Sequence, residues 1–492
     1  MEKHVYRFRS TSALLGEFQE LEKQEIYFAS PQELNDPLEG LKDIFWQGDA
    51  IIWTNLVRHY LLCLMQAVLI AIEHGPNHQF ADHDISVLLT EEGLAPSSRS
   101  VFQGICTKFF ENEEVAQLPA LLAARISPVR RNELLSLFWF VHFHALKVTC
   151  MVINPREPIC LIDEFLRTKK DAPFRFQQSF AAQNALDQKY GNRGDLAEQM
   201  STEATSLMMQ AILIREYQGS SQHHGSAWNT ISSAFPEVYI DQLERLLYSD
   251  WYAACFVAKP THAAMWGNYG DGHRGVCLKF RTLLNATVGG DSLMLQKVVG
   301  AKGNQDAVSP VYEDVPCELH EVQYRDQYLE IDFFRSMGRL TRRQLAFWFR
   351  DSKGVISPTG RDLIEESEAW RRQYWSNLDR AITTKLSDWQ HESEYRITLY
   401  SMMMDLSDRH TRKLRYRFED LQGVIFGIKT PAQDKLAVMR IIESKCRKDG
   451  RKDFEFHQSY YSRQTGKIET TQLKLLKFDS IGGGSGGGDR RR

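Results

Sequence analysis

Three charged residues at alternate positions, Glu392, Glu394 and Arg396, form a set that could do chemistry. On a strand, alternate side chains share a face, so two carboxylates and a guanidinium would point the same way. Carboxylates so placed stabilise the oxocarbenium-like transition state of glycosyl transfer. The same three residues could equally close as an ion pair at a sheet end. Arg7 and Arg9 repeat the alternation near the start of the chain, and their guanidinium forks suit phosphate or pyrophosphate. A solvated outer strand face is the alternative there. Asn35, Asp36 and Glu39 follow a tightly capped turn and could hydrogen-bond a ribose or a base; the turn itself explains Asp36-Pro37 but not Glu39. Tyr269 stands beside the glycine-flanked stretch 270–275, where a ring can stack a planar group. Trp266, at helical spacing before it, reads first as core. His273 and Arg274 lie between glycines and are expected to be exposed, in reach of a substrate phosphate.

A second chemistry is open to the same positions. Asp36, Glu39, Glu392 and Glu394 could converge on a divalent cation for phosphodiester cleavage, since hard carboxylates suit Mg²⁺. The other metal-like fragments are Asp82-His83-Asp84 and His142-Phe143-His144, and neither has a partner at metal-ligand spacing. No metal is expected. Residues 270–275 have GxGxxG spacing, but they follow a helix and precede a strand, the reverse of the strand–loop–helix order a dinucleotide fold needs. With no phosphate-loop motif, and no GxSxG outside the Gly/Ser tail, dinucleotide-fold oxidoreductases, P-loop enzymes and α/β-hydrolases draw no support.

The elements that must position these residues change in texture along the chain. Residues 4–9 alternate as a strand, with Tyr6 and Phe8 on one face and Arg7 and Arg9 on the other. A helix with Leu14, Leu15, Phe18 and Leu21 follows, then a short strand over 25–29. Ser30-Pro31-Gln32-Glu33 reads as a capped helix start, stopped at once by Asn35-Asp36-Pro37. Residues 50–246 carry long helical periods and read as an insert or subdomain. Its most apolar run, 61–72, contains Gln66 and is too short to span a bilayer on its own. Strand texture returns at 251–258, 276–280, 321–324, 394–400 and 422–428. A flexible loop is expected over 284–316, a long helix over 361–387 and another helix over 431–444. Residues 451–480 read as a closing hairpin and 481–492 as a flexible Gly/Ser tail.

With 492 residues, 43% hydrophobic and 25% charged, the chain can bury a large core without staples. A net charge of −3 argues against a dedicated nucleic-acid binder, though not against a local basic groove. Eight scattered cysteines form no CxxC and read as buried thiols of a reducing cytosol. The opening MEKHVYRFRS has no apolar stretch of the signal-peptide kind, so a cytoplasmic, membrane-free location is expected.

Six motifs recur in a fixed order: VYRFRS, IYFASPQELNDPLEG, ACFVAKPTHAAMWGNYGDGHRGVCLKF, HEVQYRDQY, TKLSDWQHESEYRI and GVIFGIKT. The series resembles the bacterial domain-of-unknown-function family 2971 over residues 4–46 and 247–445. The helical insert is longer than that pattern, and the hairpin beyond 450 lies outside it. The layout more distantly resembles the ADP-ribosyltransferase superfamily, above all its DNA-modifying toxin branch. Proteins of that kind open on a strand carrying His or Arg, continue through a short F/Y-x-P/S segment and place a glutamate on a late strand. Tyr6-Arg7, residues 27–31 and Glu394-Tyr395 occupy those places.

The resemblance implies an α+β fold: a split, mixed or mostly antiparallel sheet, ADP-ribosyltransferase-like, beside the helical insert. It implies NAD as substrate, with Glu394 on the ribose 2′-hydroxyl and Glu392 beside it as the catalytic pair. Arg7, Arg9, Ser30, Asn35, Tyr269 and Arg274 would hold NAD. Asp36, Glu39, Trp266, His273 and Arg396 would meet the target, a nucleic acid or a protein. A bacterial toxin or anti-phage defence effector is the expected role, with a metal-dependent nuclease or a non-catalytic partner-binding module, its partner on the insert, as alternatives.

Overall fold

A computed structural model of the chain describes residues 3–75, 78, 80–81, 84–154, 175–191, 195–217, 227–285, 289–304, 307–401 and 405–476. Asp82-His83, Cys160 and the tail 481–492 lie outside the described residues. The chain divides into two compact units. One takes Met1–Leu41, Asp250–Tyr328 and Ala381–Arg492; the other takes Lys42–Ser249 and Leu329–Arg380. The fold is mixed, with helices and both parallel and antiparallel strand pairs, consistent with α+β.

The first unit is built on an eight-stranded sheet. Its strands, numbered in chain order, are β1 (His4–Arg9), β2 (Trp251–Val257), β3 (Val276–Arg281), β4 (His320–Glu321), β5 (Glu394–Tyr400), β6 (Leu421–Phe426), β7 (Glu455–Tyr461) and β8 (Ile468–Gln472). They lie side by side in the order β4-β5-β2-β1-β3-β6-β7-β8. All neighbours are antiparallel except β6 and β7. The alternation read in β1 is real. Val5 joins the larger core on one face, with Phe256, Leu278, Phe280, Ile397 and Phe426. Phe8 joins a smaller cluster with Val257, Met265, Trp266 and Cys277, against which Tyr6 and Tyr269 pack. The helix Ala432–Asp449 covers the larger core through Val438 and Ile442, and ends at Gly450, whose φ of +65° suits only glycine comfortably.

Two expectations fail, the first in this unit and the second across its boundary with the other. Residues 284–316 are mostly not a loop: Gly290–Asn304 and Ala307–Glu318 pair as a long antiparallel ribbon. The alternation that builds it is visible in Leu293 and Leu295, both buried, and was masked by the surrounding glycines and charges. The helix expected over 361–387 breaks into Arg361–Ile364 and Glu368–Ile382, with Glu366 left-handed between them at φ +48°. Past it, Thr384–Leu386 is a strand parallel to Gln323–Arg325.

The second unit is mainly helical, as expected for 50–246, but also recruits 329–380 from the later half of the chain. The helix Ala50–His74 runs 25 residues, so the apolar run at 61–72 is only its middle. It and Arg131–Ile153 are long and apolar enough to cross a membrane by length and composition, yet 72% and 50% of their most apolar windows are buried within the fold. Asn55 on the first helix donates to the carbonyls of Trp348 and Arg350 at 2.9 and 2.8 Å, which ties in the recruited segment.

Candidate active site

Strand register creates the site. Val257 of β2 faces Tyr6 of β1 on one side and Glu394 of β5 on the other, so these three residues form a row across the sheet. Glu394 therefore lies on the face of the smaller cluster, beside an open hollow. Arg396 shares that face by strand alternation, as expected. Glu392 gets there by another route. It closes the short 3-10 turn Ser387–Glu392, and Ser393, left-handed at φ +45°, turns the chain into β5.

The charged wall of the hollow is one connected network. Arg396 is fully buried and donates to Glu394 through Nε and Nη2 at 2.7 and 3.0 Å, and to Glu39 through Nη1 and Nη2 at 2.7 and 3.0 Å. Lys385 donates to Glu392 at 2.7 Å and to Glu394 at 3.4 Å, and stands 3.6 Å from Glu39. Tyr269 donates its hydroxyl to Glu392 at 2.6 Å. Glu39 reaches this wall because the turn after Pro31–Glu33 continues through Gly40, left-handed at φ +74°, where an added Cβ would sit 2.8 Å from the Trp251 ring.

Burial pushes the Glu394 carboxyl up, but the Arg396 guanidinium outweighs it and holds Glu394 below the usual carboxylate range. Burial pulls the Lys385 amine down, yet Glu394 and Glu392 outweigh it and hold Lys385 above its ordinary value. Burial and then Glu392 push the Tyr269 hydroxyl up, so Tyr269 stays a donor. The Cys255 thiol, also lining the hollow, is raised by burial and by Glu394. Facing this wall are the rings of Tyr6, Phe8 and Tyr269, with Asn35 at the rim.

Of the residues expected at a site, Glu394, Glu392, Glu39, Arg396, Tyr269 and Asn35 do meet here. Others do not. Arg7 lies on the opposite face of β1, buried, donating to the carbonyls of Cys255 and Tyr27 at 3.1 and 2.8 Å. Burial pulls its guanidinium down to about 10. It is a structural tie, and Arg396 supplies the guanidinium that Arg7 was expected to bring. Arg9 pairs with Glu20. Ser30 caps the turn, its N–H donating to Glu33 at 2.9 Å. Asp36 is buried and accepts from the Leu38 N–H at 3.0 Å, as an ordinary turn former does. Trp266 is core: its indole donates to the Pro260 carbonyl at 2.7 Å and its ring meets Phe8 edge-on at 4.8 Å. Arg274 is exposed and does not line the hollow. His273 is half-buried rather than exposed, is left-handed at φ +70°, and does not line the hollow either.

Two contributors went unread in the sequence. Lys385 was one unremarkable lysine in a stretch taken as helix. Tyr324, whose hydroxyl accepts the Glu394 N–H at 2.9 Å, ends the strand texture at 321–324, and nothing in that pattern points to Glu394. His142 belongs to no metal fragment: its two ring nitrogens meet the Tyr60 hydroxyl and the Ile231 carbonyl, both at 2.7 Å. No group of three or more metal-ligating side chains is set for an ion among the described residues.

No family model matches the chain, and neither a curated protein nor a solved structure matches it.

Proposed function

We propose that this chain is a transferase of the ADP-ribosyltransferase type, which draws on NAD and modifies a nucleic-acid or protein target as a toxin or defence effector. One observation carries the reading: three distant stretches of chain deliver Glu39, the Tyr269 ring and the Glu394–Arg396 pair of β5 to one open hollow. The resemblance of the motif series and the layout of the first strand and late glutamate point the same way.

The residues present fit the nicotinamide–ribose half of such a substrate. Three carboxylates, Glu39, Glu392 and Glu394, face only two cations, Lys385 and Arg396, so the wall keeps an excess negative charge. That charge and the rings of Tyr6 and Tyr269 favour a planar, positively charged group. In the transfer, the bond from ribose C1′ to the pyridinium nitrogen breaks, nicotinamide leaves with the electron pair, and C1′ bonds to a nucleophile of the target. Glu394, fixed and ionised, stabilises the oxocarbenium-like charge that develops at C1′. Glu392 is the nearby carboxylate that can accept the proton the nucleophile releases. Arg396 is already engaged by Glu39 and Glu394, so it orients the glutamate and no residue is assigned to the pyrophosphate.

The divalent-cation reading draws less support. Asp36 spends its carboxylate on a turn, and the other three already face Lys385 and Arg396 at salt-bridge distance. Incubation with NAD tests the proposal. Nicotinamide release is expected from the native chain and should fall at least about 100-fold in Glu394→Gln. A native chain that releases none, with or without nucleic acid or lysate protein as acceptor, overturns it.

A further inference from the structure

We infer that Lys385 is a positioning residue, the cation that keeps Glu392 and Glu394 apart as two separate carboxylates facing the hollow. The inference rests on the catalytic reading of those two glutamates, and assigns to a third residue the task of holding them in working order.

Geometry carries it. Lys385 sits at the centre of the short strand Thr384–Leu386, held against Gln323–Arg325, and is almost wholly buried. The ammonium donates to Glu392 at 2.7 Å and to Glu394 at 3.4 Å, and Glu39 stands at ion-pair distance, 3.6 Å away. The Trp389 ring lies over the same ammonium, 4.6 Å away, and closes its remaining side. Against burial, Glu394 and Glu392 hold the amine above its ordinary value, so it stays protonated and is not a nucleophile in waiting.

The three carboxylates are not equally provided for. Glu394 and Glu39 share Arg396, and Glu394 also meets the Cys255 thiol. Glu392 has only Lys385 and the neutral hydroxyl of Tyr269. Tyr6 and Tyr324 are also packed here; burial pushes both up, Tyr324 to about 12, and neither adds charge. Remove Lys385, and three buried carboxylates surround one guanidinium. Like charges at such range do not all ionise, so one proton is taken up and shared, chiefly by Glu392. A protonated Glu392 can no longer accept a proton from the target.

The test uses the full chain with ¹³C-labelled glutamate side chains, titrated by infrared or NMR spectroscopy in native, Lys385→Met, Lys385→Arg and Lys385→Met/Glu392→Gln forms. The native hollow should show no carboxyl titrating between about pH 5 and 9. Lys385→Met should take up one proton in that range, and the double variant should not. Lys385→Arg should restore the native titration. Nicotinamide release by Lys385→Met should fall about 100-fold at pH 7 and gain a limb rising with pH. A Lys385→Met titration identical to the native one overturns the inference. A native chain that titrates as expected but releases no nicotinamide overturns the transferase reading and leaves the role of Lys385 standing. If Lys385→Met does not fold, ¹⁵N-lysine labelling of the native chain decides. A slowly exchanging ammonium signal lost in Glu392→Gln supports the inference, and a rapidly averaged one overturns it.

Discussion

Tyr269 donates its hydroxyl to Glu392 at 2.6 Å, a contact between residues 123 positions apart in sequence. The ring and the hydroxyl of this tyrosine do different work, and substitution separates them. Tyr269→Phe keeps the ring in the hollow and removes one donor from Glu392. Nicotinamide release should fall about 10- to 100-fold with KM for NAD nearly unchanged. Tyr269→Ala removes the stacking surface too, and KM should rise. Equal KM values in the two variants would show that the ring binds nothing.

Arg7 and Arg396 should behave in opposite ways on binding and alike on stability. Arg7 ties β1 to the Cys255 and Tyr27 carbonyls and faces away from the hollow. Arg7→Met should cost about 1–3 kcal/mol through the orphaned carbonyls, without changing KM. Arg396→Met leaves Glu39 and Glu394 buried without their main counter-charge, and should cost about 3–5 kcal/mol. Chemical denaturation with kinetics on the surviving fraction checks both. A raised KM in Arg7→Met would restore it to the site.

Two buried histidines should weaken the helix Ala50–His74 and its neighbours in mild acid before the sheet-bearing unit, against the opposing pull of Asp332, whose raised carboxyl takes up its proton first in the folded chain. His59 and His142 are buried in the helical unit, and burial pulls both from 6.5 down to about 4. A folded pKa below the unfolded one means that the unfolded chain binds protons first as pH falls. The stability these histidines contribute is complete above pH 6.5 and is lost as pH drops toward 4, by about 3 kcal/mol each. Among the described residues, no histidine of the sheet-bearing unit is buried. Its acid-sensitive groups include Glu33 and Glu394, whose lowered pKa values contribute stability above the ordinary carboxylate value and give it up only below. Hydrogen exchange, corrected for intrinsic rates, should show the helix Ala50–His74 losing protection between pH 7 and 4.5 while β2 and β5 keep theirs. Equal losses in both would contradict the assignment.

Gly360 should tolerate no side chain. A Cβ there would lie 1.8 Å from the Phe349 ring, in the core of the helical unit. Gly360→Ala should destabilise that unit by about 1–3 kcal/mol while leaving Glu394 chemistry intact, read as a lowered melting transition with unchanged nicotinamide release.

Much of the hollow was legible because alternation is a local property. The period-2 pattern in β1 separated Tyr6 and Phe8 from Arg7 and Arg9 correctly. Which face would carry the hollow was not local: it was decided by β2 and β5, which pair Val257 with Tyr6 and Glu394. The arginines looked more chemical than the rings, and the site took the rings. Glu392 reached the hollow through a left-handed Ser393, a backbone choice that no periodicity reports. Lys385 escaped notice because a lysine acquires meaning only from the carboxylates around it. The reach of the helical unit into residues 329–380 was hidden for a similar reason, since segments that share a core need share no pattern.

The place of β1 between β2 and β3 has a consequence for how the protein is born. β1 leaves the ribosome ahead of both neighbours and has neither until about 240 residues more have followed, a wait of roughly 10–50 s at ordinary translation rates. The helical stretch emerges in that interval, while the opening strand stays unpaired. Glu392, Glu394 and Arg396 emerge later still, so nascent chains carry no finished hollow. Whatever chemistry the hollow performs is therefore withheld from the cell until translation has passed residue 396.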